Sequence, residues 1–300
     1  MLNGCLSLSL QQINKLSNNF MSLAFLFPGQ GSQVKGMGAE SFERFPELVR
    51  QADQELGYAL SEICLHDESN QLGQTQFTQP ALYLVSFLEA KSKMEDGLIP
   101  TAAAGHSVGE FAALATAGAI SFLDGLKMVS KRGEIMSQVT GGGMAAVIGL
   151  DEEAIRKTLK QTEADQVDVA NFNSPGQIVI SGPESQIQMV LSPLKDAGAR
   201  MVVPLKVSGA FHSRMMEVPA QEFEGFLGSF SFSAPTLPVY SNVKAAPYQN
   251  GEEIPHLLVK QIHNSVRWSE TITQMRQSGT VEFTECGPGN VLTKLLRQIP

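Results

Sequence analysis

Residues 144–208 switch between two periodicities in a fixed order. "MAAVIGL" (144–150) is a continuous apolar run suited to a strand, and "DEEAIRKTLKQT" (151–162) has helical spacing. "VDVANFN" and "QIVISG" read as two strands joined by the turn "SPG" (174–176). "PESQIQMVLSPLKDAG" (183–198) reads as a second helix, and "ARMVVPLKVS" (199–208) as a last strand. The order β-α-β-β-α-β is that of the ferredoxin-like split arrangement. It begins after "TGGG" (140–143), which reads as a hinge, and ends at Ser208-Gly209. A small domain at 144–208, inserted into a larger one formed by 21–143 and 209–300, is therefore expected.

The flanking sequence reads as α/β. "SLAFLF" (22–27) has the unbroken apolarity of a strand buried on both faces, and "PGQGSQ" (28–33) breaks it. "TQPALYLVSFLEAKS" (78–92) predicts a helix with Pro80 in its first turn. A small-residue strand at 101–106 runs into an Ala-rich helix ending near Thr116. Ser121 and Asp124 cap the next helix. A helix at 214–228, strand "LPVYSN", helices "PHLLVKQIH" and "WSETITQMRQSG", strand "VEFTECG" and a helix from about Asn290 follow. The expected fold is a large α/β-hydrolase-like domain with an inserted small ferredoxin-like (βαββαβ) subdomain. Residues 1–20 stand apart as a disordered extension; they lack the basic n-region of a secretory signal and the arginines of a transit peptide.

At 300 residues the chain can bury a sizeable core. Its net charge of −8 argues against a nucleic-acid partner. Cys5, Cys64 and Cys286 are too far apart for metal-ligand spacing and suit a reducing, cytoplasmic compartment. No apolar run reaches the roughly 20 residues of a membrane span.

Gly105-His106-Ser107-Val108-Gly109 matches G-x-S-x-G. A strand leads in and a helix leads out, the setting of a nucleophile elbow; a tight turn without chemistry is the alternative. A serine nucleophile needs a base. His106 adjoins Ser107 but faces away from it if it lies in the strand. His66 sits among acidic residues, and His256 opens a helix. His212 lies in the loop "VSGAFHSRMM" just after the inserted unit, as a base or as a capping histidine. Arg132 has Val129, Met128, Ile135 and Met136 at helical neighbour positions, so it lies on a buried face. A buried guanidinium requires a partner: a distant Asp or Glu, or the carboxylate of a ligand. The glycines of "FPGQGSQ" would let the Gln30 backbone N–H approach the serine as an oxyanion donor.

Seven motifs and one arginine occur in order: "FPGQGSQ", "TQPAL", "GHSVGEFAAL", Arg132 25 residues past the serine, "NSPGQIVISG", "VSGAFHS", "KQIHNSVRW" and "ECGPGNVL". Together they give residues 22–300 a specific resemblance to the malonyl-CoA:acyl carrier protein transacylases of fatty-acid synthesis. The resemblance implies Ser107 as nucleophile and His212 as base, the histidine being held by main-chain carbonyls near Gln261 with no acidic third member. It implies Arg132 as the binder of the malonyl carboxylate, and the Gln30 and Val108 N–H groups as the oxyanion hole. It implies Phe211 as a wall against methyl-branched substrates. It further implies ping-pong transfer from malonyl-CoA to the phosphopantetheine thiol of acyl carrier protein, with no bound cofactor or metal, and a monomer. Val108 and Ser265 stand where Leu and Pro are commoner. Lys127, Lys131, Lys206 and Arg214 are candidates for docking an acidic carrier protein. The competing readings are a serine hydrolase, a carrier-docking module without catalysis, and a trans-acting acyltransferase of polyketide synthesis.

Overall fold

The computed structural model describes residues 22–207 and 209–300. The expected extension at 1–20, with Cys5, and the boundary residue Ser208 lie outside the described residues. Two four-stranded sheets organise the chain. The first is built from β1 (Leu23–Phe27), β2 (Ala102–Gly105), β7 (Val239–Tyr240) and β8 (Glu282–Glu285), in the order β7-β2-β1-β8. All its pairings are parallel. Its strands alternate between two cores: Phe25, Phe27 and Ala103 point into one, and Ala24, Leu26, Ala102 and Ala104 into the other. This double burial explains the absence of polar alternation in "LAFLF".

Helices α1 (Ala39–Arg44), α2 (Pro46–Leu56), α3 (Leu60–Leu65), α4 (Thr75–Glu95), α5 (Gly109–Thr116) and α6 (Phe122–Ser137) surround this sheet. After the second sheet come a 3-10 turn at Arg214–Met216, α9 (Glu217–Leu227), α10 (Glu253–His263), α11 (Trp268–Gln277) and α12 (Val291–Leu296). Helix α4 starts earlier than its apolar spacing predicts, so Pro80 lies inside it and not in its first turn. Its neighbours Gln79, Ala81 and Leu82 are fully buried, so packing holds the helix through the proline. Ser121 caps α6 as expected, its Oγ accepting from the Asp124 N–H at 3.1 Å.

The second sheet comprises β3 (Gly142–Ile148), β4 (Asp168–Ser174), β5 (Gln177–Pro183) and β6 (Met201–Pro204), in the order β4-β5-β3-β6 and wholly antiparallel. With α7 (Glu152–Gln161) and α8 (Glu184–Asp196) it forms the split βαββαβ topology. One face packs on α7 and α8 through Ala145, Val147, Ile178 and Ile180. The other face joins the main core through Met144, Ala146, Ala170 and Val179. The glycine run is not a free hinge. Gly142 and Gly143 begin β3, and a Cβ on Gly142 would stand 2.4 Å from the Ala210 nitrogen. Strand β6 is shorter than "ARMVVPLKVS" suggests: its register with β3 runs from Met201 to Pro204, and one further backbone bond, Leu205 N–H to Met144 O at 2.9 Å, follows before the chain leaves the sheet.

Two backbone bonds tie the small sheet to the large unit: Phe172 N–H to Val266 O and Val266 N–H to Ala170 O, both 2.9 Å. Ser265 donates its hydroxyl to Val169 O at 2.6 Å and reinforces the same junction.

Candidate active site

The sharp turn between β2 and α5 is possible only because its glycines have no side chains. A Cβ on Gly105 would sit 1.9 Å from the carbonyl carbon of Gly109, and one on Gly109 would sit 2.1 Å from Phe27 O. The packing leaves Ser107 in the left-handed region at φ 52°, which non-glycine residues seldom occupy. Asn242 clamps the turn from the far side. Its Oδ1 accepts from the Ser107 N–H at 2.7 Å, and its Nδ2 donates to Gly105 O at 2.6 Å.

His212 reaches this serine across 105 residues of sequence. Its Nε2 lies 2.8 Å from Ser107 Oγ. Its Nδ1 faces two carbonyl oxygens, Gln261 O at 2.7 Å and Asn264 O at 3.2 Å. Carbonyls only accept, so this network assigns the ring hydrogen to Nδ1 and leaves the Nε2 lone pair for the serine hydroxyl. Burial, and then the nearby Arg132 charge, pushes the imidazolium of His212 down to about 3. The ring is therefore neutral near pH 7 and fit to accept a proton. His106 turns away: its Nε2 meets Asn173 Oδ1 at 2.9 Å and its ring packs on Trp268. His66 and His256 lie outside the cavity around Ser107.

Arg132 is 1% exposed, as its helical neighbours imply. Its hydrogen-bond partners are all neutral. Nη1 donates to Gln79 Oε1 at 2.7 Å; Nη2 donates to Gln261 Oε1 at 2.9 Å and to Ser107 Oγ at 3.1 Å. Its Nε has no partner among the described residues. Burial draws the guanidinium down to about 9, against the attraction of Glu110, so it stays cationic at neutral pH. The distant Asp or Glu required by one of the two sequence readings does not make contact with it.

A narrow cavity of about 90 Å³ opens on Ser107, Arg132 and His212. Gln30, Val108 and Phe211 line it, joined by Met144 and Asn171 from the small sheet. A larger groove of about 570 Å³ lies beside α1 and α4, but Arg44 and Asp96 in it pair with each other and it contains no nucleophile and base. Among the described residues no cluster of His, Cys, Asp and Glu suits a metal ion, and no helix is long and apolar enough to cross a membrane.

Sequence reasoning brought Ser107, His212, Arg132, Gln261, Gln30, Val108 and Phe211 to one place; six of them line the cavity, and Gln261 stands behind it, bonded to Arg132, Ser107 O and His212. It missed Asn242, Gln79, Glu110 and Tyr248. A signal existed for Glu110, a carboxylate within the apolar run "EFAAL", but nothing in the sequence marks its partners. Three of the four docking candidates are engaged with carboxylates. Lys127 pairs with Glu55, Lys131 with Glu134 and Glu222, and Arg214 with Asp168.

Residues 24–299 match the family model described as "Acyl transferase domain". The chain is 50% identical over 92% of its length to polyketide biosynthesis protein ThaF of Burkholderia thailandensis, and it spans only 24% of that protein. It is 48% identical to the polyketide biosynthesis malonyl CoA-acyl carrier protein transacylase PksC of Bacillus subtilis, covering 92% of this chain and 96% of the relative. Among solved structures, a malonyl CoA-acyl carrier protein transacylase from Burkholderia pseudomallei superposes with a TM-score of 0.89 at 44% identity, covering 93% of this chain and 98% of that one. A type II polyketide acyl-carrier protein in complex with its malonyl-transacylase gives a TM-score of 0.89 at 38% identity, with 93% of each chain covered.

Proposed function

The chain belongs to the acyl transferase family and is an acyltransferase; from that premise we propose that it moves a malonyl group from malonyl-CoA to the phosphopantetheine thiol of an acyl carrier protein. The observation that carries this reading is Arg132, a buried cation with only neutral partners, 3.1 Å from the serine oxygen. A dicarboxylic acyl group supplies the carboxylate such a guanidinium lacks.

Ser107 Oγ attacks the thioester carbonyl while its proton passes to His212 Nε2. The C–S bond breaks, the imidazolium returns the proton to the CoA thiolate, and malonyl-serine remains. The carrier thiol then gives its proton to His212 and attacks the ester carbonyl; the C–O bond to Ser107 breaks, the imidazolium returns the proton to Ser107 Oγ, and malonyl-carrier leaves. The exchange is ping-pong and uses only this chain's side chains. The Ser107 N–H is taken by Asn242, so the oxyanion falls to the N–H groups of Val108, at the head of α5, and Gln30. Phe211, 5% exposed, closes the cavity against a methyl branch. The proposed division is a catalytic unit of 21–143 and 209–300 with 144–208 inserted. The proposed setting is a cytoplasmic monomer that needs no bound cofactor.

The product serves fatty-acid synthesis in the reading drawn from the sequence. Relatives at 48–50% identity carry polyketide biosynthesis in their names, whereas those at 38–42% do not. A polyketide carrier is therefore the second reading, and transfer rates to carriers of each type decide between them. The first test is the intact mass of the protein after mixing with malonyl-CoA or acetyl-CoA. A single malonyl adduct, little acetyl adduct and none on Ser107→Ala are expected. Release of free malonate without an adduct would instead indicate a hydrolase.

A further inference from the structure

Glu110 has no solvent exposure, lies three residues beyond Ser107, and takes no part in the chemistry above. Its Oε2 accepts from Gln261 Nε2 at 2.6 Å and from the Asn242 N–H at 3.2 Å. Its Oε1 accepts from the Tyr248 hydroxyl. Gln261 touches Ser107, His212 and Arg132. Its Oε1 accepts from Arg132, its Nε2 also donates to Ser107 O at 2.9 Å, and its main-chain oxygen holds His212.

The Gln261 amide therefore has one permitted sense. Its NH2 end lies between two acceptors, a carboxylate and a carbonyl, and its oxygen faces a guanidinium. Turned over, it would set NH2 against a cation and oxygen against an anion. We propose that Glu110 is a positioning residue: through the Gln261 amide it holds Arg132 aimed at Ser107 and thereby sets the preference for a dicarboxylic acyl group.

The arrangement is an ion pair with an amide between its members. A carboxylate placed directly on Arg132 would occupy the fork that the substrate carboxylate must use. One amide further away, Glu110 attracts the buried guanidinium without competing for its N–H groups; burial raises its carboxyl to about 7, against the bonds from Tyr248 and Gln261, so its charge is full only above neutral pH, while its oxygens accept from Gln261 and Asn242 in either state. The inference rests on the malonyl reading proposed above.

The test is single-turnover loading of Ser107 by malonyl-CoA and by acetyl-CoA, read by intact mass, with labelling by a neutral fluorophosphonate as a measure of the serine-histidine pair. Glu110→Gln removes the charge that orients the amide. Malonyl loading should fall about tenfold or more, acetyl loading and fluorophosphonate labelling by less than about threefold. Tyr248→Phe keeps the charge and should lower malonyl loading by only about threefold. Gln261→Glu puts a carboxylate on Arg132 and should lower the ratio of malonyl to acetyl loading about tenfold or more; it carries the test if Glu110→Gln does not fold. Equal losses of malonyl and acetyl loading, or unchanged malonyl loading, would overturn the inference. A wild-type protein that takes up no malonyl group would overturn the functional reading instead.

Discussion

The two sheets divide the work unequally. The large parallel sheet supplies the elbow, and its helices and loops carry Ser107, His212, Arg132 and Gln261. The small antiparallel sheet places no group on the reacting serine. It contributes wall residues, Met144 and Asn171, and the Asn173 contact to His106. The large sheet pairs strands from opposite ends of the sequence, β1 with β8; the small one is assembled within a single stretch. Distant strands meeting at one edge can gather groups from many elements, and ligand sites in such sheets collect at the carboxyl ends of the strands. A locally assembled sheet is better suited to roofing the site.

The sharpest way to break this contrast is a methyl group. Gly105→Ala in the large unit forces a Cβ into backbone at 1.9 Å, whereas Gly143→Ala in the small one meets only Glu184, at 3.4 Å. The first should yield no stably folded protein, a loss of about 5 kcal/mol or more; the second should stay within about 1 kcal/mol, both read by denaturant unfolding. A Gly105→Ala protein as stable as wild type would show that the elbow is not held by packing.

Next in size is Arg132→Ala. Malonyl loading should drop on the order of 10²-fold, with acetyl loading nearly unchanged, because a charge-assisted carboxylate contact is lost. Equal losses would remove Arg132 from substrate selection.

A pH series follows. An ordinary histidine base would lose activity below about pH 6.5, but burial and the Arg132 charge hold His212 down to about 3. Labelling of Ser107 by a neutral fluorophosphonate should therefore stay flat from pH 8 to about pH 5. The stability consequence has a defined sign. Between about 3 and the unfolded value of about 6.5 the unfolded chain binds the extra proton at this site, so the contribution of His212 to stability falls as pH falls through that window. A labelling rate that halves near pH 6.5 would show a solvated, ordinary imidazole.

The smallest effect is expected where the two units meet at the surface. Arg214 and Asp168 join them, but the arginine side chain is 53% exposed. Arg214→Ala should change stability by less than about 1 kcal/mol and leave malonyl loading intact. A larger loss of loading would mean that the roof is positioned by this ion pair.

Legibility followed the same division. The βαββαβ order could be read along 144–208 because its strands and helices follow one another within a single stretch, each with its own apolar pattern. Ser107 and Arg132 were legible from local context: two glycines around a strand-to-helix turn, and four apolar neighbours around one cation. Asn242 and Tyr248 were not, since each acts on a group more than 100 residues away; Glu110 carried a signal as a carboxylate in an apolar run, but its partner Gln261, equally distant, did not show. Strand β7, predicted as "LPVYSN", falls where expected but spans only Val239–Tyr240. Helices α1–α3, between Ala39 and Leu65, were not assigned from the sequence at all; α1 and α3 are six residues each, too short for a clear apolar stripe.

The pairing of β1 with β8 also governs when reactivity appears. A ribosome releases Ser107 long before His212, and both before Gln261 and the strand that completes the sheet. Until then the serine has neither its base nor the carbonyls that orient it, and its left-handed backbone has no packing to hold it. A chain cut short before Asn264 therefore lacks what orients the base, and one cut short before Glu282 lacks the strand that pairs with the first.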